Sequence, residues 1–248
     1  MGVNRPYRRT CRQLADGSYA GSGHGKYVSH RMYAKEPEHY VRAFLLLQKD
    51  LRELFDYVEP ADQNVECYSF RIHELLLRAC VEVEANCKAI LLENGYQKSG
   101  NLNMSDYKKI DQSHKLSEYM VRVPTWRGSQ NTRTPFAAWS TGGSLGWYEA
   151  YHASKHNRHT DFQKATFINM LDAVTGCLTI LSAQFRDEDF SAQSSALLCE
   201  GSGDGMDDAI GGFFRLRFPN SWLPADRYDF DWSVLRAESD PFQNFPYP

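Results

Sequence analysis

Apolar residues recur at helical spacing in two long stretches of the first half of the chain. After Pro37 they step by three and four positions, and Pro60 ends the series, as on one face of an amphipathic helix. A longer series begins at Val65 and stops before Asn94-Gly95, a pair typical of a left-handed helix cap. The apolar positions are Tyr40, Phe44, Leu47, Leu51, Leu54 and Val58 in the first series, and Tyr68, Ile72, Leu75, Ala79, Val83, Cys87 and Ile90 in the second. The pattern predicts two helices, with the second at the centre of the fold.

The middle of the chain predicts further helices around one long loop. Ser105 suits the N-cap of a helix over residues 106–123. Residues 124–144 are rich in Thr, Ser, Gly, Asn and Pro, which indicates a loop of the kind that often carries function. A short helix around residues 148–156 follows. A long amphipathic helix comes next, and the capping box Thr160-x-x-Gln163 predicts its start.

The two ends of the chain lack this periodicity. Residues 1–35 carry four closely spaced arginines and the Gly-rich GSGHGK without an apolar face, which predicts a flexible basic arm. Residues 187–208 hold seven acidic residues and no Lys or Arg, a composition typical of a solvated connector. Beyond it, FFRLRF and RYDFDW alternate aromatic and polar residues, as the two strands of a small β-hairpin do.

Together these features predict an all-α fold. Residues 36–187 form a helical bundle of four to five helices, after the flexible basic arm of residues 1–35. Residues 188–248 form an acidic linker and a small C-terminal extension that contains the β-hairpin. With 42% hydrophobic and 24% charged residues over 248 positions, the composition is that of a globular protein.

Charge and cysteine content narrow the classes of function. A formal net charge of -3 excludes a uniformly basic nucleic-acid coat, so any contact with nucleic acid has to come from a local patch. The basic N-terminal residues lead into Gly and Ser instead of an apolar stretch, and no apolar run has the length that spans a bilayer. The six cysteines contain no CxxC pair. We therefore expect a cytoplasmic protein with reduced thiols and no membrane anchor.

The residues from Gly146 to His159 concentrate imidazole and cationic side chains in a few helical turns. Tyr148 and most of the basic residues fall near one face at 3.6 residues per turn. Neutral imidazole accepts a proton near pH 7, while Lys and Arg stabilise the charge that develops on a phosphate during transfer. These residues therefore predict a site for phosphate. We name this set the basic cluster: His152, Lys155, His156, Arg158 and His159.

The preceding loop adds Trp126, Arg127 and Arg133. An aromatic ring stacks on an unpaired base, and nearby arginines bind phosphate. These three residues are therefore candidates for substrate binding, together with Tyr148 and His159. A mobile loop without a ligand explains the same composition.

The spacing W-Y-x-x-Y-H-x-x-K-H-N-R, followed by F-x-x-A-T-F-x-N-M-L-x-A, resembles the HEPN superfamily of all-helical nucleotide-binding domains, many of which are ribonucleases. The resemblance covers residues 36–187. The family's active motif is an Arg, often followed by a polar residue, with a His a short distance downstream. Members cleave RNA without a metal ion, with the 2'-hydroxyl as nucleophile, at a site formed by two protomers. The resemblance therefore implies RNA as the ligand and a homodimer.

Matched to this motif, His156 takes the place of the family's histidine and His152 that of the polar residue. Tyr151 stands where the family has its arginine, and Arg158 is the guanidinium closest to His156 along the chain. The resemblance implies that His156 acts as a general acid or base. It also implies that Lys155 and Arg158 bind phosphate.

The function that follows is that of a HEPN-like protein acting on RNA. One form is a metal-independent endoribonuclease in a defence or toxin-antitoxin setting, with no cofactor and with an antitoxin or a defence subunit as a protein partner. The alternative is a non-catalytic helical module that binds a nucleotide, RNA or a protein, which the tyrosine at position 151 favours.

Two further interpretations of these residues stay open. His152 and His156, four positions apart, can ligate zinc from one helix face, with Glu149 or His159 as a third ligand. Ala153 stands where a zincin motif has its glutamate, and we expect no metal. In the other interpretation the aromatic residues belong to the core, and the basic cluster is simply a solvated face.

Overall fold

The computed structural model describes residues 2–19, 24–190 and 205–248. The helices are α1 Pro37–Leu54, α2 Phe70–Glu93, α3 Met104–Tyr107, α4 Asp111–His114, α5 Gly146–His156, α6 Arg158–Asp161, α7 Phe167–Phe185 and α8 Trp232–Leu235. The strands are β1 Met120–Arg122, β2 Thr132–Arg133, β3 Asp207–Asp208 and β4 Arg215–Arg217. The chain is helix-rich with a small antiparallel sheet, so the prediction of an all-α bundle of four to five helices is only partly right.

The long helices begin where a hydroxyl side chain caps them. Ser69 accepts a hydrogen bond from the Ile72 amide at 3.2 Å, and α2 begins at the next residue. Thr166 accepts from the Asn169 amide at 3.4 Å in the same way and sets the start of α7. The predicted start of α7 at Thr160 is therefore wrong, because the Thr160 hydroxyl donates backwards to the Asn157 carbonyl.

Helix α7 is the centre of the core. It packs against α1, α2 and α5, and nearly all of its residues are buried, as expected for a helix that is apolar on all sides. By length and composition α7 alone among the described helices is able to cross a membrane, but most of it lies inside this fold. Its burial is consistent with a soluble protein, while the cytoplasmic location stays a prediction.

The sheet joins two distant parts of the chain in the order β2-β1-β4-β3. Val121 of β1 lies opposite Arg133 on one side and Leu216 on the other. The predicted single helix over residues 106–123 is therefore wrong, since this segment forms α3, α4 and a strand. Strand β4 covers part of FFRLRF, as predicted, but it pairs with β1 and β3 instead of RYDFDW.

The N-terminal segment is packed into the molecule. Arg9 is fully buried and Arg12 is 3% exposed. Arg9 forms an ion pair with Glu93 at the end of α2, at 2.9 Å. The prediction of a flexible arm is wrong for residues 2–19, because these cations find partners inside the fold. Residues 20–23 of the predicted arm and residues 191–204 of the predicted acidic linker lie outside the described residues.

Candidate functional site at the end of α5

Helix α5 presents an aromatic face to the core and a basic face to solvent. Trp147 and Tyr151 are buried, and the Trp147 indole donates a hydrogen bond to the Pro135 carbonyl at 2.8 Å. Gly176 on α7 lies against the Trp147 ring, which lets the two helices approach closely. The helix ends at His156, where Asn157 leaves the helical conformation. The core contacts therefore orient the basic cluster outwards.

The basic cluster lies on the exposed surface of α5 and α6. The rings of His152 and His156 are 4.4 Å apart between centroids, and both residues are exposed. Arg158 and His159 follow on α6 and are exposed as well. Among the described residues, no carboxylate lies within ion-pair distance of a member of the cluster, and the negative charge of Glu84 acts on Lys155 from further away. This arrangement favours the approach of an anion.

Lys155 is held in place by Tyr151. Its ammonium donates a hydrogen bond to the Tyr151 hydroxyl at 2.9 Å and lies 4.9 Å from the centre of that ring. The hydrogen bond raises the pKa of Lys155, so the ammonium stays charged at neutral pH. Burial raises the pKa of Tyr151. Tyr151 therefore acts as an uncharged acceptor that orients Lys155, a different role from that of an arginine.

Tyr148 is directed towards α2. Its hydroxyl donates to Glu84 at 3.0 Å, and Lys88 lies 3.9 Å from the same carboxylate. Burial, together with the charge of Glu84, raises the pKa of Tyr148 well above its usual value. The Tyr148 hydroxyl, which the sequence assigns to substrate binding, is therefore already hydrogen-bonded to Glu84. The i, i+4 spacing of Glu84 and Lys88 indicates only a pair within α2, so the sequence gives no sign of the contact with α5.

The loop candidates do not converge on the basic cluster. Trp126 is buried, stacks on Phe167 at 5.9 Å, and donates from its indole to Asp62 at 2.7 Å. Arg133 makes two hydrogen bonds to Asp172 on α7, at 2.6 and 2.9 Å. Neither side chain is free to receive a base or a phosphate in this conformation. Arg127 stays open to solvent, with its side chain 78% exposed.

Asp62 fixes the shape of this loop. Besides the Trp126 indole, it accepts from the amides of Ser129 and Gln130, at 2.8 and 3.1 Å. These hydrogen bonds, the one from Trp126 first, hold the pKa of Asp62 at about 2. Gly128 has a φ of +131°, and a side chain there would collide with Asp62. The loop is therefore a folded structural element at neutral pH.

Sequence reasoning missed one group of residues next to the basic cluster. His73 on α2 is 6% exposed, and its ring lies 5.3 Å from that of Phe162, just beyond α6. Desolvation, with a contribution from the charge of Arg158, lowers the pKa of His73. The N-terminal end of α2 therefore borders the basic cluster. No signal in the sequence joins these segments, which are about ninety residues apart.

The metal interpretation finds no support here. No group of three His, Cys, Asp or Glu side chains able to hold a metal ion occurs among residues 2–19, 24–190 and 205–248. Zinc would thus have only the two imidazoles of α5 as ligands in this part of the chain, fewer than structural or catalytic zinc sites use.

Comparison with known proteins gives no match. Neither family models, nor curated proteins, nor solved structures match the chain. The fold and the site themselves define the class: a helix-rich protein with a small antiparallel sheet and an exposed basic cluster. The resemblance to the HEPN superfamily stays a prediction.

Proposed function

We propose that this chain binds RNA through the phosphate groups, with the basic cluster as the contact surface. The observation that carries the proposal is that two imidazoles, an ammonium and a guanidinium lie together in solvent, with no carboxylate paired to them in the described part of the chain. Surface cations are usually interspersed with anions. A group of donors at one helix end with no carboxylate in direct contact instead suits a polyanion.

The protein's overall charge makes this contact local. Because the net charge is -3, long-range attraction to RNA is weak and the affinity depends on the few cations of the cluster. The HEPN resemblance points in the same direction, since it implies RNA as the ligand, a homodimer, and a defence or toxin-antitoxin setting.

Binding fits the geometry better than cleavage by the family's mechanism. Tyr151, at the position of the family's arginine, is 2% exposed and holds Lys155, so it presents no cation to a scissile phosphate. Endoribonuclease activity is the second candidate function. It is favoured by the 4.4 Å separation of the His152 and His156 rings, because two adjacent imidazoles supply an acid and a base.

The binding proposal is tested with the double variant Lys155→Gln/Arg158→Gln. A fluorescent 20-nucleotide RNA, titrated with protein at low salt, should bind the variant about tenfold more weakly than the wild type. The dependence of log K on log salt should also become shallower by about 1.4, because two phosphate contacts are lost.

The matched control is Arg42→Gln/Lys49→Gln, which removes two exposed cations from α1. This variant should bind as the wild type does. No RNA binding by the folded wild type, or an equal loss in both variants, would contradict the proposal.

Cleavage is tested separately with a pool of tRNA and single-stranded RNA, with and without EDTA. Cleavage products that still form in the presence of EDTA, but not with the His156→Ala variant, would support endoribonuclease activity. Unchanged cleavage in that variant would exclude the assigned role of His156. Binding without cleavage by the wild type would leave the binding module as the function.

A further inference from the structure

Three aromatic rings form an exposed patch where α2 begins. Tyr68 and Phe70 are 51% and 69% exposed. Their rings lie 5.8 and 4.8 Å from the ring of Phe162, which supports both from below. We name Tyr68, Phe70 and Phe162 the aromatic patch. Cys67, whose side chain is also exposed, directly precedes it.

The aromatic patch is held rigidly by the surrounding backbone. The Phe167 amide donates to the Cys67 carbonyl at 2.7 Å, and Tyr68 bridges to Thr166. Ser69, between the two exposed rings, caps α2. Two large aromatic side chains therefore stay exposed side by side at fixed positions, and such a patch marks a candidate binding surface.

The patch and the basic cluster form one continuous surface. Phe162 directly follows α6, which carries Arg158 and His159. His73 connects the two sets, because its ring lies 5.3 Å from that of Phe162, while the Ser154 backbone of α5 and the charge of Arg158 both influence the pKa of its imidazole. Phe162 thus places the exposed rings next to the helix that carries two of the cations.

The charges around the patch favour an anionic ligand among those that carry flat apolar groups. Arg158 is exposed and has no carboxylate partner in the described residues. Arg71 and Lys164 lie on the two sides of the patch, paired at the surface with Glu74 at 3.3 Å and with Asp161 at 3.1 Å. Such exposed pairs are weak and exchange readily for a phosphate. The surface thus combines stacking faces with cations, as single-stranded nucleic-acid sites do.

We infer that the aromatic patch stacks unpaired bases, so that the RNA bound by this chain is single-stranded. The inference rests on the proposed function, which supplies the phosphate contacts at the basic cluster. Tyr68 and Phe70 provide the stacking faces, and Phe162 fixes their positions. Bases in a duplex are already stacked and have no face to offer, whereas every unpaired base has one.

The test compares three labelled RNAs of equal length. They are a 12-nucleotide single strand, the same ribose-phosphate strand without bases, and a duplex. The wild type should bind the single strand about tenfold or more tightly than either of the others. Tyr68→Ser/Phe70→Ser should lose that advantage and bind the single strand only as tightly as the strand without bases.

Two further variants separate stacking from general effects. Tyr68→Phe/Phe70→Tyr keeps both rings and should bind as the wild type does. Leu92→Ser removes a side chain that is 60% exposed at the other end of α2, about 33 Å away along the helix, and should change nothing. Because all these side chains are exposed, circular dichroism and melting temperature should stay those of the wild type.

The outcomes distinguish this inference from the proposed function. If the wild type binds none of the three RNAs, both fail. If it binds all three equally, or if Tyr68→Ser/Phe70→Ser keeps its preference for the single strand, only the stacking inference fails. If Tyr68→Ser/Phe70→Ser changes the oligomeric state but not RNA binding, the stacking inference also fails, since the patch would then be a protein contact.

Discussion

Arg133 links strand β2 to helix α7 through its two hydrogen bonds with Asp172. Both side chains are largely buried, at 16% and 18% exposure, so each charge depends on the other. A cation that is largely buried against its partner carboxylate is not available to a ligand, whereas an exposed cation is. Arg133 is of the first kind, and Arg158 is of the second.

Replacement of Arg133 by Met should therefore affect stability and not RNA binding. The change leaves the Asp172 carboxylate partly buried without its cation, and we expect the free energy of unfolding to fall by about 1–3 kcal/mol. Urea denaturation measures this change, and the RNA titration checks the unchanged affinity. Arg127→Met, at an exposed position, should cost less than about 0.5 kcal/mol. Equal stability of the two variants would contradict the structural role of Arg133.

The residues of α5 were identified from the sequence because they are contiguous along one helix. Their individual roles were not, since these depend on distant partners. Glu84 accepts a hydrogen bond from Tyr148. The exposure of the Tyr68 and Phe70 rings can be recognised only once Ser69 is known to cap the start of α2. In the sequence, Tyr68 fits the buried face of a longer helix equally well.

At the scale of elements, the N-terminal segment is fixed by one arginine. The Arg9 guanidinium forms an ion pair with Glu93, donates to Gln184 at 2.9 Å and to the Lys35 carbonyl at 2.6 Å, and lies 4.7 Å from the centre of the Tyr40 ring. A single side chain thus joins the N-terminal segment to α1, α2 and α7.

Substitution of Arg9 by Ala should cost about 3–5 kcal/mol of unfolding free energy, because Glu93 and the buried acceptors would lose their cation. Arg5→Ala is the matched control. Arg5 pairs with Glu238 at the surface, with 43% of its side chain exposed, and its removal should cost at most about 1 kcal/mol. Chemical denaturation of both variants measures the difference. If Arg9→Ala is as stable as Arg5→Ala, the segment is not anchored as described.

Elements with a long apolar periodicity were predictable, and short ones were not. Helices α1, α2 and α7 each repeat their apolar spacing over several turns, so the sequence fixes the element type. Strand β1 has three residues, and it exists because Leu216, ninety-five positions further along, pairs with Val121. Such pairing is a tertiary effect that no local pattern encodes.

At the scale of the whole molecule, a buried polar chain connects the C-terminal segment to the N-terminal one. Tyr247 is hydrogen-bonded to Ser113, and Ser113 to Nδ1 of His114, both at 2.6 Å. Nε2 of His114 contacts the Arg9 carbonyl at 2.8 Å. Because a carbonyl only accepts, Nε2 donates this hydrogen bond and carries a proton. Burial lowers the pKa of His114 to about 3.

This histidine makes the fold sensitive to mild acid. In the unfolded chain His114 takes up a proton below about pH 6.5, whereas in the folded chain it stays neutral until about pH 3. The contribution of His114 to the free energy of unfolding is therefore fully present well above pH 6.5. It decreases as the pH falls, by about 1 kcal/mol per pH unit between pH 6 and 4. His114→Gln, which has no titrating group, should show a shallower loss. Equal slopes in urea denaturation at pH 7, 6, 5 and 4 would contradict this assignment.

The exposure of Cys67 gives the molecule a selective chemical handle. The thiols of Cys11, Cys80, Cys87 and Cys177 are buried, so a maleimide dye should attach at Cys67 once Cys199, which lies outside the described residues, is replaced by serine. The dye would then lie beside Tyr68 and respond optically when a strand arrives. For the same reason, a preparation in which this thiol has been alkylated or oxidised would carry the modified side chain at the edge of the aromatic patch.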